Sequence, residues 1–378
     1  MTALEDFGRV AASLDNPYIE RWKHEGGKVV GYYCTYVPVE LIHAAGMLPF
    51  RMRATGSKST DLGDVYVSSS TCTFCRHSLD QAMRGAYGFL DGLVSLFSCD
   101  HIRRTYDVWK HGKVELPCSP FYFEFLSVPV KAEPANVRWL AGELDRFKRS
   151  LEEHFNVTIT DEALARSIRL YNERRLLLRR LYEFRKRDAP PVSGAEVLEV
   201  LISATAMPPE EFNQVLRQAL VELEGREGRS DYRARLLLGG VDLDDPGYVR
   251  LIEDLGGLVV ADFLCFGIRD FWDMTDEDGE PLAALAKRYV SNVSCPRMID
   301  RPGRQQFLDD LVKDYRVDGV LLQRMKYCDL WGGECAMTQW DLAKNGTPCM
   351  ILEREYLMGP VGQMRTRVQA FLETIEGC

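Results

Sequence analysis

Two stretches of this 378-residue chain are built on one plan. LDGLVSLFSCD ends at Asp100, and VDGVLLQRMKYCD ends at Asp329. Each is Asp-Gly, then an apolar run, then Cys-Asp. The apolar runs are short and bounded by turn residues, so they read as buried strands. A helical pattern precedes each turn, and the cysteine falls where the strand ends. Strands alternating with helices fold as a parallel α/β sheet, and this chain carries the pattern twice.

In the first half KVVGYY (28–33), MLPFRMR (47–53) and LDGLVSLF read as strands. Helices are expected over CTYVPVELIHAAG, from about Cys72 to Ala86, and over CDHIRRTYDVWK. Pro38 and Gly46 suit the start and end of the first of these. From about Ala135 to Arg226 the spacing turns helical and highly charged, as expected of amphipathic helices with solvated faces. The second half resumes with strands RARLLLGG, GLVVADF, VDGVLLQR and TPCMILERE. Its helices are DDPGYVRLIEDLG, RPGRQQFLDDLVKDY, CAMTQWDLAKNG and VGQMRTRVQAFLETI. The expected architecture is two Rossmann-like (flavodoxin-like) parallel-sheet domains, 1–134 and 228–378, joined by a helical segment, 135–227.

Several functions are disfavoured. A net charge of −9 and the lack of a basic tract argue against nucleic-acid binding. The N-terminus, MTALEDFGRVAASLDNPYIERW, reads as an amphipathic helix without an apolar signal region. No run of about 18 apolar residues occurs, so no membrane span is expected, and the expected location is the cytoplasm. No G-x-x-x-x-G-K-[ST] loop is present for ATP, and no G-x-G-x-x-G follows a strand for a nicotinamide cofactor.

Eleven cysteines are many for a reducing compartment, where disulfides are disfavoured. Ligands of parallel sheets bind at the carboxyl ends of strands, which is where Cys99 and Cys328 fall. If the two halves face each other, these two meet across the cleft. A third thiolate could come from Cys34, Cys72 or Cys75. Cys72 opens a helix after SSSTC, and a helix N-terminus favours an anionic thiolate. Thiolates are the usual ligands of iron–sulfur clusters. Cysteine is also among the most buried residue types, so packing stands as the alternative. Cys118, Cys265, Cys349 and Cys378 read as packing, and Cys295 and Cys335 are left open.

The stretches GYYCTYVPVELIHAAGMLPFRMRATGS, CTFCRHSL, FLDGLVSLFSCDHIRRTYDVW, VDGVLLQRMKYCD and GQMRTRVQAF resemble the 2-hydroxyacyl-CoA dehydratase and benzoyl-CoA reductase family. The resemblance covers nearly the whole chain. It implies a [4Fe–4S] cluster held by Cys72, Cys99 and Cys328, with Cys72 matched through C-x-x-x-R and Arg76. It implies a homologous second subunit, in a heterodimer or a homodimer, and a separate ATP-dependent iron–sulfur activator protein. The implied reaction is loss of water from an (R)-2-hydroxyacyl-CoA substrate through a ketyl radical. Three alternatives stay open: an aryl-CoA reductase subunit, a double-cubane reductase of small molecules, and an electron-relay or cluster-binding subunit without its own substrate site. Cys75 and Cys335 are extra to the pattern and keep the double cubane open.

His43, on the first helix, and Arg76, beside the cluster, are the candidate catalytic residues. Weaker candidates are Arg103, Arg104 and Glu355, with Arg365 and Arg367 as phosphate contacts or surface charges.

Overall fold

The computed structural model describes residues 2–112, 114–359 and 361–377. Cys378, read above as packing, lies outside the described residues.

The N-terminal stretch forms two helices rather than one, α1 (Ala3–Ala11) and α2 (Pro17–His24). Thr2 and Glu5 form a reciprocal capping box on α1, and Asn16 restarts the chain by capping α2 ahead of Pro17. Next come β1 (Lys28–Tyr32), α3 (Val39–Ala44), β2 (Met47–Arg51), α4 (Thr73–Met83), β3 (Gly92–Leu96), α5 (Asp100–His111) and β4 (Tyr122–Leu126). These four strands form an all-parallel sheet in the order β2-β1-β3-β4. β4 adds a strand to those expected from sequence, because YFEFL alternates and carries Glu124 within it.

Four helices follow: α6 (Pro134–Phe155), α7 (Asp161–Arg185), α8 (Gly194–Ser203) and α9 (Pro209–Glu224). The chain then runs β5 (Ala234–Gly240), α10 (Pro246–Glu253), β6 (Gly257–Phe263), α11 (Ile268–Phe271), α12 (Pro281–Ser291) and α13 (Arg301–Asp314). The last elements are β7 (Gly319–Met325), α14 (Asp329–Lys344), β8 (Cys349–Arg354) and α15 (Val361–Glu376). The second sheet is also all parallel, in the order β6-β5-β7-β8. Both sheets therefore have the same doubly wound topology. Strand order reverses between β1 and β3 in one and between β5 and β7 in the other, and such reversals open a crevice at the strands' carboxyl ends.

The duplicated Asp-Gly has one structural cause in both sheets. Asp91 accepts the Val29 N–H at 2.9 Å, and Asp318 accepts the Arg235 N–H at 2.7 Å. Each carboxylate thus satisfies a backbone donor at the start of the neighbouring central strand. The glycine follows because space fails: a Cβ at Gly92 would lie 2.6 Å from the Tyr122 Cβ, and one at Gly319 would lie 2.6 Å from the Ile375 side chain.

The connecting helices tie the sheets together. α7 packs on α3, α9 and α12, and α6 packs on α12. At their junction the buried Glu40 of α3 pairs with the buried Arg175 of α7 and accepts the Tyr289 hydroxyl of α12 at 2.7 Å. Burial opposes the Glu40 charge, but Arg175, Arg288 and Tyr289 overcome it and hold the carboxyl at about 2.

Candidate functional site

The carboxyl ends of the two sheets open onto a shared cavity of about 80 Å³. Cys72, Cys99 and Cys328 all line it. They come from separate elements, yet each occupies the N-cap position of a helix: Cys72 of α4, Cys99 of α5 and Cys328 of α14. Three helix N-termini therefore point their partial positive charge and free N–H groups at one place. At α5 the Ile102 N–H donates to the Cys99 sulfur at 3.5 Å.

Cys72 is the most acidic of the three. A hydrogen bond with the Cys75 thiol, then one with His101 and the N–H groups of Phe74 and Cys75, bring it to about 6 in spite of burial. Cys75 is pushed well up as the other half of that pair. Burial lifts Cys99 to about 12 and raises Cys328 as well. Burial thus favours the neutral thiol at Cys99 and Cys328, while hydrogen bonds favour the thiolate at Cys72.

His101 crosses the site. Its Nδ1 accepts the Cys72 N–H at 3.2 Å, and its Nε2 stands 3.8 Å from Asp329 at the start of α14. The side chain therefore links the first turns of α4, α5 and α14. Met325, the last residue of β7, sets its sulfur 3.5 Å from the Cys72 sulfur and 3.3 Å from the Phe74 N. Arg51, at the end of β2, is buried in the cavity wall. It bonds Asp242 at 3.0 Å and the Cys265 carbonyl at 2.6 Å, and it stacks 3.9 Å over the Phe266 ring. That guanidinium crosses from one sheet to the other.

His43 and Arg76 do not line this cavity. His43 lies on the far face of α3's short turn, bonded to Ser167 of α7 at 2.9 Å and to Glu210 of α9 at 3.1 Å. Helical spacing alone does not settle which way that turn rotates. Arg76 points away from the thiols and holds the preceding loop. It bonds Asp64 at 2.6 Å, Thr60 at 3.1 Å and the Ser69 carbonyl at 3.4 Å. It therefore braces the segment that delivers Cys72. Arg103 pairs loosely with Asp100, at 3.6 Å on the exposed face of α5.

Four more cysteines line the cavity: Cys34, Cys75, Cys265 and Cys295. Cys265, read as packing, stands two residues beyond β6. The strand-end rule that singles out Cys99 and Cys328 applies equally to it. Cys335 and Cys349 pack in the core away from the cavity. His101 is legible in principle, since it directly follows Cys99-Asp100.

Among the described residues no group of His, Cys, Asp or Glu converges tightly enough to hold a single metal ion. One ion draws its ligands to within about 2.0–2.3 Å of a common point, whereas a multi-iron cluster spaces its thiolates around several irons. Here three capping thiols, with four further cysteines, line one largely apolar space.

The fold and cleft define a doubly wound two-sheet α/β protein with a thiol-lined crevice between the switch points. Comparison with known proteins narrows that class. The model of the family described as 2-hydroxyglutaryl-CoA dehydratase, D-component, matches residues 34–375, and this chain belongs to that family. The chain is 28% identical to YjiM of Escherichia coli (strain K12), a dehydratase subunit by name alone, with 93% of each chain covered. It is 26% identical to a benzoyl-CoA reductase subunit of Thauera aromatica, over 96% of this chain and 95% of the relative. It is 24% identical to the (R)-phenyllactyl-CoA dehydratase beta subunit of Clostridium sporogenes, over 98% of each. Among the described residues no helix is long and apolar enough to cross a membrane.

Proposed function

We propose that this chain is the iron–sulfur subunit of a 2-hydroxyacyl-CoA dehydratase, working with a homologous partner and an ATP-dependent activator. One observation carries the reading: Cys72, Cys99 and Cys328 cap three different helices and line one cavity between two switch points. These residues fit a [4Fe–4S] cluster, which would supply one-electron transfer and an iron open to a substrate oxygen. The helix N-termini offset the negative charge of thiolate ligands. His101 fixes the Cys72 backbone through its Nδ1, and Arg76 fixes the loop before it. Arg51 holds the two sheet ends at their spacing through Asp242 and the Cys265 carbonyl. The relatives are themselves named as subunits, which supports a partner, and the lack of a P-loop supports a separate ATPase. The family description and the dehydratase names support dehydration over reduction of an aromatic ring.

A second reading rests on Cys34, Cys75, Cys265 and Cys295, which give the same cavity enough thiols for a larger, double-cubane cluster.

Iron and acid-labile sulfide per chain, measured after anaerobic purification, separate the two. About four of each, a single cubane, supports the first reading, and about eight supports the second. Neither metal nor sulfide in folded, anaerobically handled protein removes both. Turnover of 2-hydroxyacyl-CoA against aryl-CoA substrates, with partner and activator added, then decides the reaction.

A further inference from the structure

Arg269 is the least satisfied buried guanidinium among the described residues. It stands on the short helix α11, just past β6, and is 2% exposed. Its Nη2 donates to the Gly240 carbonyl at 2.9 Å and to the Cys265 sulfur at 3.0 Å. Its Nε and Nη1 are shut off from solvent and have no hydrogen-bond partner. What faces the charge is aromatic: the Phe263 ring at 5.1 Å and the Trp331 ring at 4.9 Å. Aromatic faces attract a cation but carry no net charge to balance it.

Buried charges are normally paired. The carboxylates on the surrounding elements are engaged elsewhere. Asp242, after β5, bonds Arg51 at 3.0 Å; Asp262, in β6, bonds Arg185 at 3.1 Å; Asp270, on α11, faces Arg174 at 3.5 Å. Arg235 also lacks a carboxylate, but its Nε, Nη1 and Nη2 each bond a backbone carbonyl, at 3.0, 3.1 and 2.9 Å. Arg269 has one carbonyl and one sulfur, both on the same nitrogen.

The groups it touches lead to the cysteine crevice. Cys265 and Trp331 both line the cavity that Cys72, Cys99 and Cys328 line, and Trp331 lies in the first turn of α14, which Cys328 caps. Arg269 itself does not line it. The guanidinium thus stands one side-chain layer behind the wall, and that layer is a thiol and an indole. The counter-charge missing from the protein would be supplied by an anion in the cavity. A cubane held by three thiolates is such an anion, and it gains a further negative charge with each electron. Net charge and burial are among the factors that set a cluster's potential.

We propose, on the cluster reading above, that Arg269 is the fixed counter-charge of the cluster. It acts through space, without contact to cluster or substrate, and favours the reduced state. Charge interactions across a dry wall are screened far less than in water. The guanidinium therefore raises the reduction potential and eases acceptance of the electron.

The test is a redox titration, followed by electron paramagnetic resonance, of the anaerobically purified full-length chain with its cluster. Wild type, Arg269→Met and Arg269→Lys are compared at equal iron content. Arg269→Met should lower the reduced-to-oxidised ratio at a given potential about tenfold, a shift of about 59 mV for one electron. Arg269→Lys keeps the charge and should restore most of it. A second reading removes packing effects: the rise in melting temperature on going from chelator-stripped to loaded protein should be smaller in Arg269→Met than in wild type. An unmoved potential on a full cluster overturns the proposal, as does an equal rise in melting temperature. So does a fall in potential that lysine fails to restore. A wild type without any cluster instead removes the iron–sulfur reading on which the proposal rests, so the two failures are distinct.

Discussion

The turn from β3 into α5 and the turn from β7 into α14 place a cysteine at the same point by different means. Both cysteines are extended, but in the first turn the Cys99 sulfur accepts the Ile102 N–H. In the second, Cys328 makes no such cap bond, and the residue before it, Tyr327, sits at φ 65°, a region few non-glycine side chains adopt. The Asp-Gly turns that begin these two strands differ as well. Asp91 is buried and held by Lys23 and Lys28, whereas Asp318 is exposed. The first half also supplies a second capping cysteine, Cys72, on a braced loop. One topology, used twice, fixes where a ligand atom stands. The local chemistry around it is free to diverge.

That comparison can be broken most directly at the thiols. Cys99→Ser and Cys328→Ser should each lose the cluster iron, and the double variant should lose no more, because residues sharing one centre are not additive. Iron analysis checks this; retention of full iron in both single variants would end the three-cysteine assignment.

The joint between the halves comes next. Glu40→Ala leaves Arg175 buried without its partner and should cost about 3–5 kcal/mol in urea unfolding. Because the folded Glu40 carboxyl is held at about 2, its contribution is complete above its unfolded value and lost as pH falls through about 2. Wild-type stability should therefore decline on acidification with a slope that Glu40→Gln reduces. An unchanged slope would mean the joint does not carry that charge.

The two Asp-Gly turns should separate by burial. Asp91→Ala orphans a buried donor and should cost about 1–3 kcal/mol. Asp318→Ala, where water replaces the carboxylate, should cost less than about 1 kcal/mol. Equal losses would show that exposure does not distinguish the halves.

The smallest effect is expected at the brace. Arg76→Ala should cost about 0.2–1 kcal/mol, as for partly exposed ion pairs, yet speed iron loss to a chelator. If Arg76 served the chemistry rather than the loop, turnover would collapse with iron retention unaltered.

Much of this is legible in the chain. Strands buried on both faces read as unbroken apolar runs, so β1, β3, β5, β6 and β7 stand out. The strand-end cysteines follow from the topology of parallel sheets. Other features need three dimensions. Gly332-Gly333 obscures the start of α14, which begins at Asp329 and so makes Cys328 a cap. The alternation in YFEFL hides an edge strand. Sequence offers His43 on the first helix as a catalytic candidate, but α3 turns it onto α7 and α9, and His101 lines the cavity instead. Cys265 needs only the same rule applied once more.

The most direct test of the central claim is iron per chain in Cys328→Ser beside Cys118→Ser and the wild type, purified together without oxygen. Cys118 lies outside the cavity and bonds only backbone carbonyls. The convergence of both halves on one centre requires full iron in the wild type and in Cys118→Ser, and its loss in Cys328→Ser. Equal iron in all three would contradict it, leaving the second Cys-Asp as packing at the end of a strand.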